Sequence, residues 1–284
     1  MQISVVIPAK NEAAAIGQTV ERVLAVLPEA ELVVVNDGST DDTAQVARQA
    51  GATVIDHPYS KGNGAAIKTG ARAATGEVIV FLDGDGQHAP EDISRLLSKL
   101  EQGYDMVVGA RQAGSQASVG RGLANTLYNK LASYMVGHKV EDLTSGFRAA
   151  RAEKFREFLY LLPNGFSYPT TCTMAFFRAG YSVAYEPIDA SKRIGKSHIR
   201  LLRDGARFLL IIFKIGTLFS PLKLFTPIAA AFLGTGLLYY AYTWFEYDRF
   251  TNMSALLFTT SVIVFLIGLV SEQITQLVYL KAGK

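Results

Sequence analysis

The chain has 284 residues, 28 of them Lys or Arg and 25 Asp or Glu, for a formal charge of +3. That balance excludes a protein that coats nucleic acid along its whole length, and 49% hydrophobic against 19% charged residues excludes a disordered chain. The single cysteine, Cys172, excludes an internal disulfide framework or a cysteine-rich zinc site and reads as a small buried thiol.

Taken in chain order, short apolar runs alternate with helical patterns. Strands are predicted at Ile3–Pro8, Glu31–Val35, Thr53–Asp56, Val78–Leu82 and Asp105–Gly109. Helices are predicted at Glu12–Leu27, Asp42–Ala50, Gly64–Ala74, Glu91–Glu101 and Arg121–Val136. This alternation predicts an α/β fold, Rossmann-like, with a mostly parallel sheet and helices on both faces. In such sheets ligands bind beyond the carboxyl ends of the strands.

The polar signals sit at those ends. Asn11-Glu12 follows the first strand. Asn36-Asp37-Gly38-Ser39-Thr40-Asp41-Asp42 follows the second, where Asp37 can accept bonds from a base or ribose, while Thr40 or Asp41 can simply cap the next helix. Lys61-Gly62-Asn63-Gly64 opens a helix, a setting that favours anionic groups and close backbone approach. Asp83-Gly84-Asp85-Gly86-Gln87-His88 follows the apolar strand Val78–Leu82. Two carboxylates around a glycine can hold one hard divalent cation, although Asp and Gly are also common turn residues. His57, His88, His138 and His198 lack paired metal-ligand spacing and read as structural or exposed, with His88 close enough to support the Asp83 turn.

Lys196 to Ile215 carries basic residues at Lys196, Arg200, Arg203, Arg207 and Lys214, a helical spacing beside Leu201, Leu202, Phe208, Leu209, Ile212 and Phe213. A basic amphipathic helix of this kind suits a lipid headgroup layer. Leu224–Phe245 and Phe250–Ser271 are each 22 residues without a charge, beyond the roughly 20 needed to cross a bilayer core. Two buried core helices are the other reading. The connector Glu246-Tyr247-Asp248-Arg249 is net negative, while Lys and Arg gather before the first span and at Lys281 and Lys284. The positive-inside bias predicts a hairpin with both flanks in the cytoplasm, with Tyr242, Trp244 and Tyr247 near its outer turn. Ile3–Ala9 is too short for a signal core and has no basic leader, so the first 200 or so residues are expected to be cytosolic.

As a set, Val5-Val6-Ile7-Pro8-Ala9-Lys10-Asn11-Glu12, the Asp37 motif, Lys61–Gly64 and Asp83–His88 resemble the family 2 glycosyltransferases of the GT-A fold. The resemblance implies a nucleotide-sugar donor, with Pro8, Ala9, Glu12 and Asp37 around the nucleoside, Asp56 a further candidate, and Lys61, Asp83, Gly84 and Asp85 toward the rest of the donor. It implies Mg2+ or Mn2+ held by Asp83, Asp85 and Gln87. Asp142-Leu143-Thr144-Ser145-Gly146-Phe147-Arg148, Arg193-Ile194-Gly195-Lys196-Ser197 and the C-terminal hairpin resemble the polyprenyl-phosphate glycosyltransferases, such as dolichyl-phosphate mannose and glucose synthases and bacterial undecaprenyl-phosphate enzymes. That narrower resemblance implies transfer of one sugar to a lipid phosphate bound by Arg111, Arg121, Arg193 and Ser197. Arg148 can equally be a packing or surface arginine. The family also implies a homo-oligomer, such as a tetramer.

These expectations divide the chain into a cytosolic GT-A domain (1–195), an amphipathic juxtamembrane region (196–217) and a transmembrane hairpin with a short tail (218–284), an integral protein of the inner membrane in a prokaryotic cell. A phosphate acceptor is largely ionised at neutral pH, with a second pKa near 6, and needs no obligatory base. Phe166–Arg178, where hydroxyl-acceptor relatives supply one, has no carboxylate, so single-displacement inverting transfer is expected, with Asp142 a possible base or positioning residue. Alternatives are a hydroxyl-acceptor enzyme making glycolipid or polysaccharide and a non-catalytic membrane scaffold. The Gln-x-x-Arg-Trp motif common in the former is absent, because the only tryptophan, Trp244, follows Thr243.

Overall fold

The computed structural model describes residues 1–111, 119–165, 167–189, 213–214 and 216–280. The chain divides into two compact units, Met1–Ile199 and Arg200–Lys284.

The first unit runs β1 (Ile3–Ala9), α1 (Ile16–Val26), β2 (Glu31–Asn36), α2 (Thr43–Gln49), β3 (Thr53–Asp56), α3 (Asn63–Ala73), β4 (Val78–Phe81), a 3-10 turn (Pro90–Asp92), α4 (Ile93–Glu101), β5 (Met106–Arg111), α5 (Val119–Val136), β6 (Arg148–Arg151), α6 (Ala152–Arg156), α7 (Tyr168–Arg178) and β7 (Val183–Ile188). The sheet order is β3-β2-β1-β4-β6-β5-β7. β1 pairs in parallel with β2 and β4, β2 with β3, and β5 with β7. β6 runs antiparallel between β4 and β5. The mostly parallel sheet with covering helices is therefore the α/β architecture expected.

Sequence pattern explains these elements directly. Val5, Val6, Ile7 and Val78–Phe81 are buried on both faces, as central parallel strands must be. On α4, Ile93, Leu96, Leu97 and Leu100 recur at helical spacing and all are buried. Each such side chain contributes roughly 1.5–3 kcal/mol of transfer free energy, which docks the helix on the sheet. The five predicted strands and five predicted helices are present, with ends shifted by a few residues. β6, β7 and α6 are additions. Arg148-Ala149-Ala150-Arg151 carries no β-branched residue, so β6 gives no strand signal of its own. β7 contains Glu186 and Pro187, residues tolerated because it is the edge strand.

The second unit contains α8 (Pro221–Tyr247) and α9 (Asn252–Leu280). Pro221 occupies the first turn, where its missing N–H costs nothing, and Asp248 closes α8 in the left-handed region at φ 52°. Small residues let the helices approach. A Cβ on Gly268 would lie 2.7 Å from Phe225, one on Gly236 3.0 Å from Phe258, and Ser261 Oγ donates to the Ala229 carbonyl at 2.8 Å. Pro221–Tyr247 and Asn252–Leu277 are long and apolar enough to cross a membrane, and only 11% and 17% of their most apolar windows are buried. Core helices of a soluble protein would be mostly covered, so the alternative reading of two buried helices does not fit. The amphipathic segment expected at 196–215 lies outside the described residues except for Phe213 and Lys214, which are helical.

Candidate functional site

The carboxyl ends of β1 and β2 are laced by side chains. Asn11 sits at φ 55°, and its Oδ1 accepts the Thr40 backbone N–H at 2.8 Å. The Glu12 N–H donates to Thr43 Oγ1 at 2.9 Å, and the Ala9 carbonyl accepts the Asp37 N–H at 2.9 Å. Pro8 and Ala9 are buried in β1, and Glu12 is half-buried. Asp56, at the end of β3, accepts from Asn36 Nδ2 at 2.8 Å and pairs with Arg48.

Asp37 is the most committed residue of this group. One carboxylate oxygen accepts from His57 Nδ1 (2.8 Å) and the Lys61 N–H (2.7 Å), and the other from Ser60 Oγ (2.8 Å) and the Gly62 N–H (2.9 Å). Two donors on each oxygen fill a carboxylate's lone-pair positions. Burial pushes its pKa up, but these bonds outweigh burial and hold it down at about 2. Asp37 thus shapes the turn before α3, and the expected contact with a base or ribose requires one of these bonds to be exchanged. His57, whose Nε2 lies 2.9 Å from Thr69 Oγ1, ties the same carboxylate to α3.

The glycines of Lys61-Gly62-Asn63-Gly64 answer to the chain itself. A Cβ on Gly64 would overlap the Pro163 carbonyl oxygen, and one on Gly62 the Asn164 carbonyl oxygen. The Ala65 N–H donates to Asn164 O at 3.1 Å, and Lys68 Nζ to Asn164 Oδ1 at 2.5 Å. The close approach expected of a ligand at this helix start is made by the backbone of residues 163–165. Lys61 is exposed, with Nζ 5.8 Å from the centre of the Tyr59 ring.

The Asp83–Gln87 turn leaves the buried end of β4. A Cβ on Gly84 would lie 3.3 Å from the Pro8 carbonyl oxygen, so this turn packs directly against the end of β1. The Asp83 side chain is one third exposed, and Asp85, whose Oδ1 accepts the Gln87 N–H at 3.1 Å, is buried. His88 Nε2 lies 3.6 Å from Asp83 Oδ2, and its ring stacks on Phe147 at 5.2 Å. Burial raises the Asp83 pKa, but the His88 contact and the positive charges of Arg111 and Arg148 bring it below the usual carboxylate value. Gly146 abuts the same carboxylate, for a Cβ there would stand 2.7 Å from Asp83 Oδ2. The donor set of Asp83, Asp85 and Gln87 is all oxygen, which suits Mg2+ or Mn2+. Among the described residues no cluster of three or more His, Cys, Asp or Glu forms a protein-only cage. A cation here would therefore take its other ligands from substrate oxygens and water.

Two strands away, β5 ends in Arg111. Its Nε and Nη2 donate to the two oxygens of Asp142 at 2.7 and 2.9 Å, and Nη2 also reaches Thr144 Oγ1 at 2.6 Å. Asp142 further accepts the N–H groups of Arg111 (3.2 Å), Thr144 (3.1 Å) and Ser145 (3.2 Å). Burial raises the Asp142 pKa, but Arg111 and these N–H groups hold it below the usual range. A carboxylate so fully bonded positions an arginine and is poorly set to take a proton, which favours the positioning reading of Asp142. Arg111 keeps 28% of its side-chain surface exposed. Arg121 lies on α5 with its side chain outside the described residues, as are Arg193 and Ser197.

Arg148 is fully buried. Its Nη1 donates to the Pro169 carbonyl (3.1 Å) and Thr173 Oγ1 (3.2 Å), and its Nη2 to the Ser145 carbonyl. It is out of reach of solvent. Gly146 and Phe147 stood in the Asp142–Arg148 motif without a role of their own, and Tyr168 had none. Their spacing from Asp83 along the chain is long, and only the antiparallel β6 brings the 142–147 loop to the Asp83 turn.

The sheet, with its Asp-Gly-Asp turn beyond a buried central strand, has the GT-A fold of solved glycosyltransferase neighbours. Glucosyl-3-phosphoglycerate synthase from Mycobacterium tuberculosis, solved with Mn2+, uridine diphosphate and glucosyl-3-phosphoglycerate, superposes with a TM-score of 0.61 at 25% identity over 74% of this chain and 77% of that one. The same enzyme with Mg2+ and uridine diphosphate gives 0.60 at 26% identity, over 74% and 76%.

The model of glycosyl transferase family 2 matches residues 4–159, and the chain belongs to that family. The GtrB C-terminal hairpin matches residues 220–277. Dolichyl-phosphate hexose transferase of Haloferax volcanii is 30% identical over 206 residues, 72% of this chain and 89% of the relative. Glycosyltransferase AglJ of the same organism is 29% identical over 264 residues, 87% and 86%. Undecaprenyl-phosphate 4-deoxy-4-formamido-L-arabinose transferase of Photorhabdus laumondii is 36% identical over 162 residues, 53% of this chain but only 49% of that longer protein.

Proposed function

We propose that this family 2 glycosyltransferase moves one sugar from a nucleotide-sugar donor, GDP-mannose or a UDP-hexose, to a polyprenyl phosphate at the cytosolic membrane face, with inversion at the anomeric carbon. The observation that carries the reading is the pairing of an acidic turn with a carboxylate-fixed arginine at nearby strand ends of one sheet: Asp83 and Asp85 after β4, Arg111 held by Asp142 after β5. The names of the dolichyl-phosphate and undecaprenyl-phosphate relatives support the acceptor. The uridine diphosphate complexes of the solved neighbour support a nucleotide donor.

In this reading Asp83, Asp85 and Gln87 would hold Mg2+ or Mn2+, which when bound neutralises charge on the departing nucleoside diphosphate. Arg111 orients the acceptor phosphate. Its Nε and Nη2 are committed to Asp142 and Thr144, so Nη1 is the end that meets a phosphate oxygen, and the bonds to Asp142 set its direction beforehand. Arg121, Arg193 and Ser197 complete the acceptor site. Pro8, Ala9, Glu12, Asp37, Asp56 and Lys61 line the donor, Asp37 by exchanging one of the bonds that shape its loop. α7 supplies no base: Tyr168–Phe176 is buried throughout and has no carboxylate. The acceptor brings its own ionised oxygen, so none is required. The hairpin α8–α9 anchors the chain in the bilayer that dissolves the acceptor, with its connector outside and both flanks cytosolic, and the assembly is a homo-oligomer.

The test presents purified chain with nucleotide sugars and short polyprenyl phosphates, with Mg2+ or Mn2+. The expected product is an acid-labile lipid-phosphate sugar, lost with EDTA and nearly lost in Asp85→Ala. Arg193→Ala should weaken the lipid acceptor. Transfer only to hydroxyl acceptors would sink the proposal, and activity that survives EDTA would sink its metal assignment.

A further inference from the structure

We infer that Arg148 and Tyr168 are positioning residues for Asp83, acting through the carbonyls of Ser145 and Gly146. This rests on the reading that Asp83 and Asp85 hold a divalent cation.

Arg148 is a guanidinium with no exposed surface and, among the described residues, no carboxylate within ion-pair distance. Burying an uncompensated charge is costly, so its acceptors matter. They are the Ser145 carbonyl on one side and the Pro169 carbonyl and Thr173 Oγ1 of α7 on the other, with the Tyr168 ring 5.8 Å away. The charge is thereby used to fasten the 142–147 loop to the first turns of α7. Tyr168 adds a second fastening one residue on, its hydroxyl donating to the Gly146 carbonyl at 3.3 Å. Tyr168 is itself buried, 1% exposed, so that bond has no competition from bulk water.

The fastened residues are the ones that touch Asp83. Gly146 fits against the carboxylate so closely that a Cβ would be 2.7 Å from Oδ2 and 3.1 Å from Oδ1. Phe147, whose carbonyl accepts the Gly109 N–H at 2.9 Å, stacks on His88, and His88 reaches Asp83 at 3.6 Å. One side of the carboxylate is walled by Gly146 and another by the His88–Phe147 pair. A one-third-exposed aspartate at the end of a strand would otherwise sample several rotamers. The loop restricts it to one, and Arg148 and Tyr168 keep the loop in place.

The experiment is a Mn2+ titration followed by electron paramagnetic resonance, on the purified chain with saturating uridine or guanosine diphosphate, for wild type, Asp85→Ala, Tyr168→Phe and Arg148→Lys. Tyr168→Phe removes one oxygen and keeps the ring, so it should stay folded, with its melting midpoint lowered only by the loss of one buried hydrogen bond. Its Mn2+ dissociation constant should rise roughly tenfold, the lower end of what partners of metal ligands contribute. Arg148→Lys should show the same or a larger rise, and Asp85→Ala should lose binding. Wild-type Mn2+ affinity in folded Tyr168→Phe, with Asp85→Ala impaired, overturns the positioning inference and leaves the cation reading standing. Wild-type affinity in Asp85→Ala overturns the cation reading and this inference with it.

Discussion

Asp142→Asn separates a base from a brace. In the wild type the Asp142 carboxylate, 8% exposed, takes two bonds from Arg111 at 2.7 and 2.9 Å. Asparagine keeps the shape but turns one acceptor into a donor facing donors. Breaking one partner of a fully buried pair costs about 3–5 kcal/mol. Arg111 is 28% exposed and recovers part of that from water, so about 2–3 kcal/mol is the expected loss of its fixed orientation. At 1.4 kcal/mol per factor of ten, this is roughly 30- to 140-fold, appearing mainly as a raised KM for the phosphate acceptor. The assay is steady-state transfer with acceptor varied, repeated from acid to neutral pH. The acid limb of kcat/KM should persist in the variant, because it belongs to the second ionisation of the acceptor phosphate near 6. If turnover vanished while donor and acceptor still bound, or if the acid limb disappeared, Asp142 would be acting as a base and the reasoning would fail.

Gly146→Ala inserts a methyl 2.7 Å from Asp83 Oδ2; calorimetric titration should show Mn2+ affinity falling roughly 10- to 100-fold. Gly64→Ala drives a methyl into the Pro163 carbonyl, an overpacking that should destabilise by roughly 1–3 kcal/mol, read as a lower denaturation midpoint. The Asp37 pKa is depressed from 3.8 to about 2, a difference equivalent to roughly 2 kcal/mol of stability by linkage. That stability is present above about pH 4 and is lost as pH falls through about 2. Acid denaturation of Asp37→Asn should lack this part of the pH dependence, and an unchanged acid profile would argue against the buried network.

The β1–β4 half of the sheet was readable from sequence because its strands are short apolar runs closed by polar turns, as in Val78–Leu82 before Asp83. The hairpin was readable for the same reason: 22 uncharged residues leave few alternatives. β6 was hidden because its identity comes from lying between β4 and β5, and nothing in Arg-Ala-Ala-Arg encodes that. The roles of the glycines at 62, 64 and 146 were also hidden. A glycine that admits a ligand and one that admits the chain's own carbonyl, or its own carboxylate, look alike until the neighbour is known. Asp37 and Asp142 stood out as acids, but how many N–H groups converge on them depends on loop conformation, which residue type does not report.

The reversed strand β6 also works as a spacer. Neighbouring strands lie about 4.8 Å apart, so inserting one between β4 and β5 separates their ends by roughly twice that distance. Were β5 seated directly beside β4, Asp83, Asp85 and Arg111 would crowd into half the width. Because β6 runs the other way, the segment leading into it enters from the edge where β4 and β5 end, and residues 142–146 stand between the Asp83 turn and Arg111.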